Sequence, residues 1–248
     1  MKALIFAAGK GERMRPLTEH TPKPLLIAGG KPLIVWHLEK LATIGVRDVV
    51  INTAWLAEQF PAMLGDGSHW GLRLHYSYEG SEPLETGGGM LHAMPLLSDS
   101  ASDEPFLAIN GDIWTDYDFS RLPQEPGSLA HLVLVRNPPQ HPRGDFGVGV
   151  DGSLHPNPDS PSTAPLLALT FAGIGVYRPE LFANWRDVIG DTSGAAQSPP
   201  HFGLTPLLRA AMAHGAVTGE AWHGAWTDVG TPQRLAQLDA ELGPPAIL

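Results

Sequence analysis

Glycines and cations crowd the start of this chain in an order that could hold a chain of phosphates. The segment is Ala7-Ala8-Gly9-Lys10-Gly11-Glu12-Arg13-Met14-Arg15-Pro16-Leu17-Thr18, followed by Thr21-Pro22-Lys23-Pro24. It leaves the apolar run Ala3-Leu4-Ile5-Phe6-Ala7, which predicts a buried first strand. A strand that opens into a glycine-rich loop exposes backbone N–H groups, and glycine lets an anion come close. Lys10, Arg13, Arg15 and Lys23 fall within fourteen residues. The chemistry expected is binding of a triphosphate or pyrophosphate. Lys23, fixed between two prolines, puts a compact ammonium on a rigid loop, which suits a phosphate oxygen. Two familiar phosphate loops are excluded. No G-x-x-x-x-G-K-[ST] string occurs, and the dinucleotide fingerprint would need Gly or Ala where Met14 stands.

Further along, Ile109-Asn110-Gly111-Asp112 closes a buried run. A carboxylate there is placed to hold Mg²⁺, which favours one or two carboxylates plus substrate oxygens. It reads equally as an Asn-Gly-Asp turn. Trp226-Thr227-Asp228-Val229-Gly230-Thr231 precedes a helix start at Thr231-Pro232, so Asp228 is either a second metal ligand or a helix cap. Glu85-Thr86-Gly87-Gly88-Gly89 reads as three glycines before a helix, open to a flat base or a phosphate. Arg143-Gly144-Asp145-Phe146 lies in a polar loop that could meet sugar hydroxyls or simply turn in solvent. Phe171-Ala172-Gly173-Ile174 reads as core strand. The histidines show no zinc spacing, and without G-x-S-x-G no serine hydrolase is expected.

The elements that must carry these residues alternate between strand and helix. Pro32 to Ile44 has a helical period and stops at Gly45. Val46–Thr53 and Gly71–Ser77 read as strands, Trp55–Leu64 as a helix with Pro61 awkward in its middle, and Gly87–Leu97 as a helix. Phe106–Asn110, Ala130–Arg136 and Leu167–Tyr177 read as strands, and Leu204–His214 and Thr231–Leu242 as helices. His141–Pro165 predicts a loop or weak hairpin, and Asp191–His201 a mobile surface loop. This is the pattern of an α/β protein with a doubly wound, mostly parallel sheet, whose ligands sit at the carboxyl ends of the strands. The length of 248 residues fits one domain. The net charge of −10 argues against nucleic acid as a partner. The chain lacks cysteine, a long apolar run and a leader-like N-terminus, so disulfides, membrane insertion and export are not expected, and the cytoplasm is the expected location.

The string Gly9-x-Gly11-x-Arg13-x-x-Pro16-Leu17-Thr18 followed by Pro22-Lys23-Pro24 resembles the signature of the sugar-phosphate nucleotidyltransferases. The resemblance implies a Rossmann-like, GT-A-like fold with a mixed, mostly parallel sheet in three α/β/α layers. It implies a nucleotide-binding half over 1–120 and a sugar-binding half over 121–248. It further implies that Gly9, Gly11, Glu12 and Arg13 form the triphosphate loop, with Arg13 and Lys23 neutralising charge. Asp112 and Asp228 would hold the catalytic Mg²⁺. Gly88 would read the nucleobase, and Asn110, Asp145 and Gly173 would face the sugar phosphate. The V-E-K-P motif of glucose-1-phosphate members is missing. Pro83-Leu84-Glu85-Thr86-Gly87-Gly88-Gly89, Trp114-Thr115-Asp116-Tyr117-Asp118-Phe119 and Gly144-Asp145-Phe146 resemble a narrower group, the bacterial N-acetylmuramate α-1-phosphate uridylyltransferases of peptidoglycan recycling. That implies UTP and a sugar 1-phosphate as small-molecule substrates. The alternatives are another hexose 1-phosphate, a choline-type cytidylyltransferase, or a non-catalytic sugar-nucleotide sensor. Monomer and dimer both remain open. The resemblance is weakest over 150–168 and 188–203.

Overall fold

The computed structural model describes residues 1–98, 103–159 and 165–243. Strand β1 (Lys2–Phe6) leads through a loop of single 3-10 turns into the ribbon β2 (Ile27–Ala28) and β3 (Lys31–Pro32). Then come α1 (Leu33–Thr43), β4 (Asp48–Thr53), α2 (Gln59–Leu64), β5 (Arg73–Tyr78) and α3 (Glu85–Leu97). The middle of the chain supplies β6 (Phe106–Asn110), β7 (Ile113–Thr115), β8 (Ala130–Val135), β9 (Phe146–Val148) and β10 (Leu154–His155). The remainder is β11 (Leu167–Tyr177), α4 (Trp185–Ile189), α5 (Thr205–Ala213), β12 (Val217–Trp222), β13 (Trp226–Asp228) and α6 (Pro232–Leu242).

The main sheet runs β12-β8-β11-β6-β1-β4-β5, with the β9–β10 ribbon paired to the start of β11. The β1, β4, β5 and β6 pairings are parallel, as is β8–β12, while β11 runs antiparallel to both of its long neighbours. This is the mixed, mostly parallel sheet expected. Strand alternation explains its two cores. Ala3 and Ile5, Val49 and Ile51, and Leu107 and Ile109 face one side, under Ile34, Leu38 and Leu41 of α1. Leu4, Val50, Phe106 and Ala108 face the other, under Met90, Ala93 and Leu97 of α3 and Leu207, Leu208 and Ala211 of α5. Each of these side chains larger than alanine contributes about 1.5–3 kcal/mol by leaving water. This burial on both faces holds the carboxyl ends of β1, β4, β5 and β6 in fixed order.

Most predicted elements match within two residues. Three expectations change. The helix predicted from Trp55 begins only at Gln59, because Pro61 has no N–H and is tolerated only in a first turn. The glycine triplet does not precede α3 but lies inside it, buried. The Asp191–His201 segment is a largely exposed loop, as expected, but it is anchored rather than loose: Ala195 is buried, and its end packs on α3, where Gly88 N–H donates to Phe202 O at 2.9 Å.

Candidate active site

A cleft of about 760 Å³ lies at the carboxyl ends of β1, β4, β5 and β6. Its floor at β1 is the glycine loop. Gly11, at φ +63°, turns its carbonyl inward, where it accepts from Met14 N–H at 2.8 Å and from the Thr18 hydroxyl at 2.9 Å. A side chain there would meet Thr18 at 2.9 Å. Among the described residues, the N–H groups of Gly9, Lys10 and Gly11 have no acceptor. They form an anion-ready edge. The root of the loop is fastened by Asn52, whose Oδ1 accepts from Ala7 N–H at 2.6 Å. Arg13 lies exposed on the cleft wall, Glu12 faces Arg15 at 4.0 Å, and Lys10 pairs with Glu82 at 2.6 Å.

Gly111 brings the β6 end against β1. Its N–H donates to Phe6 O at 2.9 Å, and a side chain there would strike Phe6 O at 2.7 Å and Pro24 at 3.3 Å. With Pro24 seated there, buried Lys23 reaches Asp112, Nζ to Oδ2 at 2.5 Å. Asp228 arrives from the far end of the chain. Strand β13 pairs with β7, setting Asp228 opposite Ile113, and Val229 N–H donates to Asp112 O at 2.8 Å. Thr231, not Asp228, caps α6 by accepting from Arg234 N–H at 3.3 Å. Asp228 Oδ1 accepts from the Arg234 guanidinium and from Gln140 Nε2, the latter at 2.7 Å. Among the described residues no cluster of three or more His, Cys, Asp or Glu forms. Asp112 follows β6 and Asp228 ends β13, and two carboxylates so placed, beside the unbonded N–H groups of the glycine loop, nonetheless fit a magnesium ion completed by substrate oxygens and water.

The cleft continues over β4 and β5, where sequence reading anticipated the 85–89 segment but not Asn52, Glu79 or His201. Asn52 Nδ2 donates to Glu79 Oε1 at 2.6 Å, and Glu79 Oε2 accepts from Leu84 N–H at 2.8 Å. Burial pushes the Glu79 carboxyl above the usual range. Glu85, a non-glycine residue at φ +61°, and His201 also line this end. Asn52 stands near the end of the apolar strand β4, which is the one signal that could have marked it, whereas Glu79 follows β5, a strand of mixed polarity that carries no such signal. His201 had none, because only tertiary packing of the 190–203 segment brings it here.

Gly9, Gly11, Glu12, Arg13, Lys23, Asn110 and Asp112 all line the cleft, while Gly88, Asp145, Gly173 and Asp228 do not. Gly88 is the first correction. Its N–H is already given to Phe202 O at 2.9 Å, and a side chain there would lie 2.3 Å from Pro200 O. Asp145 is the second. Its Oδ2 accepts from Phe171 N–H at 2.9 Å and its Oδ1 faces His141 Nε2 at 3.0 Å, so it ties its loop to β11. Gly173, at φ +77° in a bulge of β11, backs Asn110, whose Nδ2 would be 2.7 Å from any side chain added there.

Comparison with known proteins decides the family. Residues 2–243 match the nucleotidyl transferase family. This chain belongs to that family. As a nucleotidyltransferase it aligns over nearly its whole length with curated relatives. It is 46% identical to the N-acetylmuramate alpha-1-phosphate uridylyltransferase of Neisseria meningitidis serogroup B, over 98% of this chain and 99% of that one. It is 32% identical to the enzyme of the same name from Caulobacter vibrioides, over 97% and 96%. The fold matches a Bacillus anthracis crystal structure assigned as a glucose-1-phosphate thymidylyltransferase, in complex with a sucrose. That match has a TM-score of 0.74 at 22% identity, covering 98% of this chain and 95% of that one. Nucleotidyltransferases generally use a divalent metal. Among the described residues no helix is long and apolar enough to cross a membrane.

Proposed function

We propose that this nucleotidyltransferase is a cytoplasmic, Mg²⁺-dependent uridylyltransferase of peptidoglycan recycling. It joins UTP and N-acetylmuramate α-1-phosphate to give UDP-N-acetylmuramate and pyrophosphate. The observation that carries this reading is the 46% identity, end to end, with the Neisseria enzyme of that name. The charge layout of the cleft supports an orientation for UTP. Free N–H groups and Arg13 favour the phosphates over β1, whereas Glu79 and Glu85 at β4–β5 disfavour phosphate and suit the N–H of a base. The nucleotide then lies in the 1–120 half and the sugar phosphate enters over β6 and β11, from the 121–248 half.

In that pose an oxygen of the sugar phosphate attacks the α-phosphorus. The new P–O bond forms as the bond to the bridging α–β oxygen breaks, and pyrophosphate leaves. No protein nucleophile is needed, so the residues act by positioning and charge neutralisation. The loop N–H groups and Arg13 hold the triphosphate. Lys23 passes from Asp112 to a phosphate oxygen. Asn110, braced by Gly173, faces the incoming phosphate. Asp112 and Asp228 would hold Mg²⁺, which would supply charge neutralisation for the reacting phosphates.

The test is pyrophosphate release with UTP, dTTP, CTP or GTP crossed against the 1-phosphates of N-acetylmuramate, glucose, N-acetylglucosamine and mannose. Turnover confined to UTP with N-acetylmuramate 1-phosphate is expected. Turnover with another pair would keep the mechanism and replace the substrates. No turnover with any pair, despite nucleotide binding, would favour a sensor.

A further inference from the structure

Arg234 and Gln140 belong to no motif of the sequence, yet both converge on Asp228. The Arg234 guanidinium and Gln140 Nε2 donate to the same oxygen, Oδ1. No hydrogen bond reaches Oδ2 among the described residues. The two donors come from unrelated elements. Arg234 stands in the first turn of α6, capped by Thr231, and Gln140 stands in the loop between β8 and β9. That loop is itself braced: Asn137 Nδ2 donates to Ala168 O at 3.2 Å, and Asp145 holds Phe171 N–H. Gly230 lines the cleft beside the pair, and a side chain there would strike Arg234 at 2.3 Å and Asp228 Oδ2 at 3.0 Å. Asp112 is held differently: among the described residues its carboxylate has Lys23 as its one partner, through Oδ2.

We infer that Arg234 and Gln140 are positioning residues that lock the Asp228 carboxylate by Oδ1 and present Oδ2 to the metal. The inference rests on the reading of Asp228 as a metal ligand. Two donors on one oxygen fix the plane of the carboxylate and leave Oδ2 on the side of Gly230, which lines the cleft. Loss of such an outer-shell partner weakens metal binding by about tenfold to a hundredfold. Charge alone predicts the opposite for Arg234, because removing a cation near the site should draw Mn²⁺ in more tightly.

The experiment is Mn²⁺ titration followed by electron paramagnetic resonance, on the full chain with α,β-methylene-UTP bound, alongside the melting temperature of each variant. Gln140→Leu keeps the side-chain volume and removes the donor. It should weaken Mn²⁺ at least threefold with the melting temperature unchanged. Arg234→Met should weaken it about tenfold, and Arg234→Lys should fall between Arg234→Met and wild type. In turnover assays, excess metal should restore most of the lost rate. Unchanged Mn²⁺ affinity in both variants, with Asp228→Asn clearly weakened, would overturn the clamp and leave the metal reading standing. Tighter binding by Arg234→Met would make the guanidinium a competitor and also overturn the clamp. Unchanged affinity in Asp228→Asn would remove the metal reading, and the clamp with it.

Discussion

At Gly9 a methyl group would project into open space, whereas at Gly88 it would lie 2.3 Å from the Pro200 carbonyl oxygen. Both glycines belong to runs whose composition reads as ligand binding. At the β1 end the run is open, and its N–H groups point where an anion can reach them. At the α3 end the same residue type admits other parts of the chain. Phe202 packs on Gly87, Pro200 on Gly88, and the Asn52–Glu79 pair on Gly89. Glycine content alone therefore does not distinguish a cradle for ligand from a seat for backbone. What distinguishes them is whether the N–H groups are already spent, as Gly88 N–H is on Phe202 O.

Four measurements would break or sharpen that contrast. The largest effect is expected at the open end. Asp112→Asn should lower turnover at least a hundredfold, roughly 3 kcal/mol of barrier, and leave the melting temperature close to wild type. A near-normal rate with unchanged metal dependence would make that aspartate a turn residue. At the packed end the effect should fall on stability. Gly88→Ala is expected to cost about 2–3 kcal/mol in urea unfolding, because the obstructing atom is backbone. If it unfolds like wild type, the 198–203 segment is not seated there in solution.

His37 tests the layer beneath the open end. It is buried on α1, with its Nε2 at 2.9 Å from Ile113 O, and burial lowers its pKa from 6.5 to about 4. A depressed pKa contributes stability that is present above the unfolded value and lost as pH falls toward the folded one. Unfolding free energy should therefore drop by about 2 kcal/mol between pH 7.5 and pH 5 on this account. His37→Gln should flatten that part of the profile, and an unaltered slope would assign it to other groups. The smallest effect is expected at Gly9→Ala, with stability within about 0.5 kcal/mol of wild type and the KM for nucleotide raised a few-fold. A stability loss as large as that of Gly88→Ala would erase the contrast between the two runs.

Much of this was legible in the sequence because it is local. The buried strands β1, β6 and β11 announce themselves as apolar runs, and α1 by its period and the glycine after it. The phosphate loop is legible for the same reason, since its parts lie within one short segment. What escaped depends on distant pairing. Strands β7 and β13 are three residues each and find one another across nearly half of the chain, too short to show a period. The spending of the Asp145 carboxylate on Phe171 N–H, the burial of the glycine triplet and the arrival of Gln140 and Arg234 at one oxygen are products of packing.

The β13–β7 pairing also bears on how the protein is made. It joins two carboxylates separated by 228 − 112 = 116 residues. Contacts so far apart in sequence form late, since the intervening chain must already be in place. During synthesis the phosphate loop, Lys23 and Asp112 emerge first and can fold against β1, β4 and β6. Asp228 is made only after β12, the strand that pairs with β8. On the proposed reading, a nascent chain thus has its glycine loop, Lys23 and Asp112 long before Asp228, and turnover would begin only when synthesis has passed β13.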